Sequence, residues 1–331
     1  MTSIGALPDP STPLSHQSAG EAFATILDGG VPDDRVADFL VRLSDRGETS
    51  IEIAAAARAL RDRMIPVKAP EGAIDVCGTG GDGHHTLNVS TAVALVVAAC
   101  GVPVAKHGNR AASSKSGAAD TLEALGMDME RAGSLAERTL ADLGIAFLFA
   151  GNHHPAMKRI TPIRRQIGRR TIFNLMGPLA NPAHVTRQLI GIARPDYVPV
   201  YAGALAQLGS EGSAIVSGAE GLDELSCEGE SIVATVGEER LPDRITPADA
   251  GLAAHPLAAI RGGSPAVNAA ALADLLAGAR GPYRDAVLLN AAAALVIARQ
   301  TGDLVDGAAR AAEALDSGAA RALLNDWIAY R

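Results

Sequence analysis

The clearest indication of the fold comes from residues 73–105, AIDVCGTGGDGHHTLNVSTAVALVVAACGVPVA. This stretch opens with a short apolar run at residues 73–77, which predicts a buried strand, and it continues into a glycine-rich loop. The segment from Asn88 to Cys100 predicts a helix, and residues 102–105 predict a second strand. A strand, a helix and another strand in this order predict a parallel pair of strands joined by a crossover helix.

After residues 73–105, strands alternate with helices toward the C-terminus. Before them, residues 18–64 show helical patterns only. We therefore expect an α/β protein with a small N-terminal all-helical domain and a larger α/β domain. Residues 1–17 are rich in Pro, Ser and Thr and predict a flexible tail, with the first helix opening in a capping box at Ser18. The predicted domains are residues 18–68, completed by 162–182, and residues 69–331.

The predicted strands and helices cover most of the chain after residue 66. Strands are predicted at 145–149, 188–192, 214–216 and 231–236, and a polar loop at 106–115. Helices are predicted at 116–125, 134–143, 198–208, 266–277, 283–299 and 307–315.

The composition is that of a folded globular protein. The 331 residues include 48% hydrophobic side chains and carry a formal charge of −8, which excludes a disordered chain and predicts about two domains. The acidic balance disfavours general nucleic-acid binding, which normally needs a basic face. An anionic small substrate remains compatible with a locally basic site.

Three scattered cysteines are too few for a disulfide framework and predict a reducing compartment. Residues 1–34 contain no Lys or Arg, so the basic start of a signal peptide is missing. The apolar centre of the longest uncharged run, Ala92 to Cys100, is too short to span a bilayer. We expect a cytoplasmic protein with no membrane partner.

The loop GTGGDG at residues 78–83 matches the G-x-G-x-x-G pattern of dinucleotide-binding folds. Two features oppose that reading, because HHTL separates the third glycine from the helix and no acid follows about 20 residues on. A Walker P-loop is also excluded, since Gly-Lys-Ser/Thr is absent. The backbone N–H groups of this loop and of the helix at NVST, residues 88–91, instead predict an anion site. A structural glycine turn with Ser90 as helix cap is the alternative.

A second loop, KHGNRAASS at residues 106–114, follows the second predicted strand. Loops that follow parallel neighbouring strands meet at one edge of the sheet, so both loops should lie together. Lys106, Arg110, Ser113 and Ser114 can neutralise and hydrogen-bond phosphates. The alternative is a solvated basic turn.

At this point the chain resembles the anthranilate phosphoribosyltransferase family. The resemblance covers about residues 18–330 and rests on the two loops and on HHPAMK at 153–158, RTIFN at 170–174, GPLANP at 177–182 and GLDELS at 221–226. It implies a nucleoside phosphorylase/phosphoribosyltransferase-like fold with a central, mostly parallel sheet. It also implies transfer of phosphoribose from phosphoribosyl pyrophosphate (PRPP) to the amine of anthranilate, with release of pyrophosphate, in tryptophan biosynthesis.

The resemblance assigns roles to individual residues. Lys106 and Asp82 are the predicted catalytic residues, Ser90, Asp223 and Glu224 the predicted ligands of Mg²⁺, usually two ions, and Gly78, Asn109 and Arg164 the predicted contacts of anthranilate. The predicted PRPP site comprises Gly78, Gly81, Asp82, Thr86, Asn88, Val89, Ser90, Thr91, Lys106, His107, Gly108, Asn109, Arg110, Ala111, Ala112, Ser113, Ser114 and Ala118. A homodimer formed through the helical domain is the family expectation.

Some of these roles also have physical support. Cleavage of the C1–O bond places negative charge on the leaving pyrophosphate, which Mg²⁺, Lys106 and backbone N–H groups can stabilise. The adjacent carboxylates Asp223 and Glu224 suit Mg²⁺, although alone they would be read as a surface acidic pair. An aromatic amine has a free lone pair and needs no general base. Arg164 competes with Arg165, Arg169 and Arg170 for the substrate carboxylate.

The chain departs from the family at Ala118, where a serine is usual, so one hydroxyl contact to PRPP is lost. Two other functions are weighed. A pyrimidine nucleoside phosphorylase of the same fold is usually about a hundred residues longer, and a non-catalytic nucleotide- or nucleic-acid-binding relative would be expected to lose the Lys106 loop or the Asp223–Glu224 pair. The five histidines at 84–85, 107 and 153–154 match no zinc spacing.

Overall fold

The structure is a computed structural model that describes residues 6–111, 115–238 and 241–331. Within these residues the chain forms a seven-stranded sheet with helices on both faces. The strands are β1 Ile74–Gly78, β2 Val104–Gly108, β3 Ile145–Phe149, β4 Arg187–Gly191, β5 Gly212–Gly218, β6 Ser231–Gly237 and β7 Arg244–Ile245.

The sheet has the strand order β3-β2-β1-β4-β5-β6-β7. β1 to β5 pair in parallel, and only β6 and β7 pair antiparallel. This confirms the predicted mostly parallel sheet. The chain moves one way from β1 to β3 and the other way from β4 to β5, so a crevice opens at the carboxyl ends of β1 and β4. Ligands of open α/β sheets bind at such a switch point.

Helices cover both faces of this sheet and form the N-terminal region. They are α1 His16–Leu27, α2 Asp33–Arg46, α3 Ser50–Arg61, α4 Val89–Ala99, α5 Ala118–Ala124, α6 Met129–Ser134, α7 Ala136–Leu143, α8 Ala150–His153, α9 Met157–Ile167, α10 Met176–Leu179, α11 Val198–Gln207, α12 Pro265–Leu276, α13 Pro282–Ile297, α14 Leu304–Asp316 and α15 Ala319–Ala329.

Two large apolar cores lie on opposite faces of the sheet. One core contains α4, α13, α14 and α15 with side chains such as Leu95 and Leu295, both fully buried. The other joins α1, α2 and α3 to residues from 160–180 and to α11, with Phe23 in edge-to-face contact with Phe39 and Phe173. The 162–182 segment therefore packs against the N-terminal helices, and its assignment to their domain stays a prediction.

The first helix begins earlier than the sequence predicts. Ser15, not Ser18, is the N-cap, and α1 starts at His16 because the Ser15 side chain accepts the N–H of Ser18. Leu14, within the predicted tail, is buried and donates its N–H to Glu52. Burial of an apolar side chain and a paired backbone group orders this part of the segment.

The second strand extends further than the sequence predicts. Lys106, His107 and Gly108 were expected in a loop but belong to β2. The lysine and histidine side chains are buried, with Lys106 2% and His107 5% exposed. Polar residues in a strand interior break the apolar pattern, so the sequence shows the end of the apolar run rather than the end of the strand.

The sequence pattern also missed several elements. Helices α6, α8, α9 and α10 and strand β7 were not predicted, and neither was α15, Ala319–Ala329, which packs against α4 and α14. The shortest of these elements carry too few periodic positions to be recognised. Among the described residues, none of the helices has the length and apolar character needed to cross a membrane.

Candidate active site

Three loops with chemically active side chains meet at the carboxyl edge of the sheet. They follow β1, β2 and β5, whose parallel pairing through β4 brings their carboxyl ends to one edge. This confirms that the glycine loop and the Lys106 segment lie on the same edge. The Asp223–Glu224 pair, which follows β5, joins them in the crevice between β1 and β4.

Lys106 places its ammonium group between β1 and the start of α4. Nζ donates to the carbonyl oxygen of Val76 on β1 at 2.7 Å and to Oγ of Ser90 at 3.2 Å. An ammonium carries three donors, of which these contacts use two. Ser90 lies in the first turn of α4, so the cation and the positive end of a helix dipole point into the same crevice.

The glycine loop is held by two distant charged side chains. Asp223 Oδ2 accepts the N–H of Gly80 at 2.7 Å. Arg170 donates from Nη1 to the carbonyl of Gly81 and from Nη2 to that of Gly80, both at 2.9 Å. Gly80 and Gly81 have φ values of +69° and +77°, which favour glycine. The loop conformation therefore depends on Arg170 and Asp223 as much as on its own glycines.

Two glycines at the ends of strands allow the loop after β5 that carries Asp223 and Glu224, here called the carboxylate loop, to approach the sheet. Gly78 and Gly191 are register partners on β1 and β4. A Cβ on Gly78 would lie 2.2 Å from Asp223 Oδ2, and one on Gly191 would lie 1.5 Å from the Asp223 carbonyl oxygen. Neither contact is possible, so glycine at both positions is required for Asp223 to occupy the crevice.

Three carboxylates lie close together there. Burial raises the pKa of Asp223 well above its usual range, and the negative charge of Asp82 adds to this effect. Burial and the charge of Asp223 likewise raise the pKa of Glu224, whose Oε1 accepts the N–H of Ser90 at 3.2 Å. Mutually repelling buried carboxylates gain stability from a cation placed between them.

This donor set fits Mg²⁺. The ion prefers hard oxygen ligands, keeps several waters and is usually bound by one or two carboxylates together with substrate phosphates. In the described ranges no three His, Cys, Asp or Glu side chains form a complete metal-binding group. A partial protein set of two carboxylates, Glu224 buried and Asp223 half-buried, suits a magnesium ion shared with a phosphorylated substrate.

The remaining predicted phosphate residues differ in how their polar groups are used. The Asn88 side chain donates to the Ser116 carbonyl at 3.4 Å and accepts from Thr121 and Asn268 at 2.5 and 2.8 Å. Its amide therefore ties α4 to α5 and α12 in this structure. Thr91 is 2% exposed, and its Oγ1 has no hydrogen-bond partner among the residues that the structure describes.

Backbone contacts surround the other predicted residues of this segment. Val89 is buried, and its N–H donates to the Leu87 carbonyl. Thr86 forms an isolated antiparallel bridge with Arg261. The contacts that the structure gives for Val89 and Thr86 here are therefore backbone contacts, and their predicted role in PRPP binding stays a prediction.

The loop after β2 is held by α5. Asp120 accepts the N–H groups of Ala111 and Gly117, both at 2.9 Å, and pairs with Arg110 at 3.0 Å. Arg110 also pairs with Glu123, so its charge faces α5. Asn109 Oδ1 accepts the N–H of Arg110 at 2.8 Å.

Glycines set the packing of this loop as well. A Cβ on Gly108 would meet Phe147 at 2.7 Å and the Ala118 Cβ at 3.4 Å, which places Ala118 beside the end of β2. A Cβ on Gly117 would meet the Ala111 nitrogen at 2.4 Å. The predicted residues Ala112, Ser113 and Ser114 lie outside the described residues.

His107 faces away from Lys106. Its Nδ1 donates to the carbonyl of Gly177 at 2.8 Å, and its Nε2 lies 3.3 Å from Nε2 of His154. Burial lowers the pKa of His107 to about 3 and that of His154 to about 4, so both rings are neutral. Any contact of His107 with a ligand beside Lys106 would therefore run through its backbone.

The contacts of three candidate arginines separate their roles. Arg169 pairs with Asp45 at 2.6 Å, and Arg170 holds the glycine loop. Arg164 lies near the end of α9, where burial and the positive charge of Arg170 lower its pKa. A half-buried cation whose nearest charged neighbour is another cation suits an anionic substrate group.

Sequence reasoning missed the structural roles of Arg170 and Gly191. From the sequence, Arg170 begins the RTIFN motif and competes for the substrate carboxylate, whereas the glycine-loop carbonyls that it holds are 89 and 90 residues away. Gly191 offered one signal, a glycine near the end of a predicted strand, which often marks a close approach of another backbone.

Two family models match the chain. The "Glycosyl transferase family, helical bundle domain" matches residues 10–64, and the "Glycosyl transferase family, a/b domain" matches residues 70–321. Curated relatives named anthranilate phosphoribosyltransferase include one from Sphingopyxis alaskensis, 67% identical over all of both chains. One from Novosphingobium aromaticivorans is 66% identical over 98% of each.

Solved structures of similar chains carry the same name. The one from Thermus thermophilus is 43% identical, has a TM-score of 0.90, and covers 97% of this chain and 99% of its own. The one from Saccharomyces cerevisiae, solved in complex with PRPP and Mg, is 31% identical with a TM-score of 0.86 and covers 96% and 93%.

Proposed function

The chain belongs to the anthranilate phosphoribosyltransferases, and from that premise we propose which residues perform the reaction. The enzyme transfers the 5-phosphoribosyl group of PRPP to the amine of anthranilate and releases pyrophosphate, a step of tryptophan biosynthesis. The observation that carries the proposal is the parallel pairing of β1 with β2 and, through β4, with β5. It places amide donors, one ammonium and two carboxylates at a single edge.

Lys106 and the glycine loop stabilise the leaving group. Breaking the C1–O bond adds negative charge to pyrophosphate while positive charge develops on the ribose. The Lys106 ammonium is already fixed by Val76 and Ser90, so little reorganisation accompanies the reaction. The backbone N–H of Gly81 and the positive dipole end of α4 bind the phosphates.

Asp223 and Glu224, with Ser90, hold Mg²⁺, which neutralises phosphate charge when bound. Two ions per subunit are part of the proposal. Asp82 lies near enough to Asp223 to raise the pKa of Asp223, so its carboxylate adds to the negative charge that would attract Mg²⁺. Support for Mg²⁺ comes from the adjacent carboxylates of half-buried Asp223 and buried Glu224 and from the yeast relative solved with PRPP and Mg.

The acceptor needs binding rather than activation. The aniline nitrogen of anthranilate has a free lone pair, so the site requires no general base. Gly78, Asn109 and Arg164 are proposed to bind anthranilate, with Arg164 opposite its carboxylate. The loss of anthranilate fluorescence on mixing enzyme, PRPP and Mg²⁺ tests the activity. Phosphorolysis of thymidine or uridine without that loss would favour a nucleoside phosphorylase instead.

A nucleic-acid-binding function finds no support in the charges of the site. Salt-sensitive DNA binding without turnover would be its signature. We further propose a cytoplasmic homodimer that associates through the helical domain. Light scattering at several concentrations tests the dimer, and a single species of about 34 kDa would refute it.

A further inference from the structure

Helix α13 is an apolar helix that carries a single fully buried amide. Its sequence from residue 286 to 297, AVLLNAAAALVI, contains no polar side chain except Asn290, which is 0% exposed. Burying an amide among apolar side chains costs free energy unless it is hydrogen-bonded. A leucine would fill a similar volume, so the amide calls for an explanation.

The Asn290 side chain grips the backbone of one residue in the carboxylate loop. Its Oδ1 accepts the N–H of Leu225 at 2.9 Å, and its Nδ2 donates to the carbonyl of Leu225 at 3.0 Å. The second Nδ2 proton goes to the Ala286 carbonyl at 3.0 Å. The amide thus imitates a neighbouring strand and fixes both backbone groups of Leu225.

Leu225 directly follows the two acidic residues. The backbone on the other side of the pair is held by close packing against β4. The carbonyl oxygen of Asp223 lies 1.5 Å from the position that a Cβ of Gly191 would occupy. Glu224 is therefore held between two anchored backbone positions, with its Oε1 at the Ser90 N–H. Without Asn290 one of the two anchors is lost, and the carboxylates can shift relative to α4.

We propose that Asn290 is a positioning residue that sets the geometry of Asp223 and Glu224 for the magnesium ion. The inference rests on the proposed role of these carboxylates as metal ligands. Groups that orient ligands without touching the metal typically cost 10- to 100-fold in metal affinity or activity when they are removed. Asn290 acts through the Leu225 backbone and is not itself a ligand.

The test measures metal binding directly. Mn²⁺ replaces Mg²⁺ as the probe, and bound Mn²⁺ is counted by electron paramagnetic resonance with PRPP present and anthranilate absent. In Asn290→Leu we expect about tenfold weaker Mn²⁺ binding or more. The Mg²⁺ concentration for half-maximal turnover should rise in parallel, while kcat at saturating Mg²⁺ recovers to within a few-fold.

The matched control is Leu295→Ala, which opens a cavity in the same helix at a fully buried side chain that makes no hydrogen bond to the Leu225 backbone. It should lower the melting temperature and leave Mn²⁺ affinity unchanged. Unchanged Mn²⁺ affinity, within twofold, in folded Asn290→Leu would overturn the proposal. If that variant does not fold, Asn290→Ala is judged by the same criterion.

A second control separates the two levels of inference. The double variant Asp223→Asn/Glu224→Gln should lose Mn²⁺ binding. If it binds Mn²⁺ like the wild type, the ligand assignment fails, and the role of Asn290 fails with it. If it loses Mn²⁺ while both Asn290 variants retain it, only the positioning role is wrong.

Discussion

Lys106 and His107 are neighbours on β2, but their side chains lie on opposite faces of the sheet. The Lys106 ammonium contacts Ser90 and the carbonyl oxygen of Val76, in the crevice where charged groups lie together. The His107 ring meets Gly177 and His154, where burial keeps both imidazoles neutral. The alternation of side chains along a strand produces this division.

The difference shows that adjacent residues of one motif, Lys106 and His107, lie in two different environments. On the Lys106 face, charged groups lie together in the crevice, which suits the charged ligand proposed above. On the His107 face, polar groups are matched with one another, and Asp75 accepts the N–H of His107 at 3.1 Å and the amide of Asn181 at 2.8 Å. Substitutions on the first face should act on turnover and those on the second on stability.

The largest effect should follow Lys106→Met, which keeps the aliphatic stem and removes the ammonium. We expect kcat to fall by about 10²- to 10³-fold, since one pre-positioned donor to the leaving group is lost. The decrease of anthranilate fluorescence measures it. Circular dichroism serves as the control for folding, and a folded variant with wild-type kcat would contradict the role of this face.

A smaller effect on turnover should follow Arg170→Lys. Lysine keeps the charge but cannot hold the carbonyls of Gly80 and Gly81 at once. Displacement of the glycine loop should lower kcat/KM for PRPP by roughly 10-fold or more. Steady-state kinetics with PRPP varied measure this, and an unchanged value would show that the loop holds its shape without the clamp.

The His107 face predicts a pH dependence of stability. The pKa of His107 is lowered to about 3 and that of His154 to about 4, against about 6.5 in an unfolded chain. Between these values the unfolded state binds more protons, so their contribution is present above about pH 6.5 and is lost as the pH falls toward 4.

This contribution should amount to about 3 kcal/mol between pH 6.5 and 5 for the two rings together. Urea denaturation at a series of pH values measures it. His154→Phe should reduce the slope of stability against pH while leaving kcat at pH 8 within a few-fold of wild type. An unaltered slope would mean that these rings are not the groups that titrate.

The smallest effect should follow Asp120→Asn, because the loop it holds is local to α5. The variant weakens the contacts with Ala111, Gly117 and Arg110, and we expect about 1 kcal/mol less stability. The KM for PRPP should rise only a few-fold. Thermal denaturation and PRPP kinetics measure the two effects. A loss of turnover as large as that of Lys106→Met would show that the loop held by Asp120 matters as much for turnover as Lys106 does.

The sequence reveals what is local and misses what is brought together from afar. The strand that ends at Gly78, the glycine-rich loop after it and the meeting of that loop with the Lys106 segment at one edge of the sheet follow from short patterns and the rules of parallel sheets. The clamp of Arg170 and the approach of Asp223 to Gly191 do not. Their partners are separated in sequence and meet only in the packed chain.

The most direct measurement is a crystal structure of the protein with PRPP and Mg²⁺. We expect the diphosphate to lie between the glycine loop and α4, within hydrogen-bond distance of Lys106 Nζ, with the metal on Asp223 or Glu224. A diphosphate bound on the His107 face, or away from the carboxyl edge of β1 and β2, would contradict this expectation.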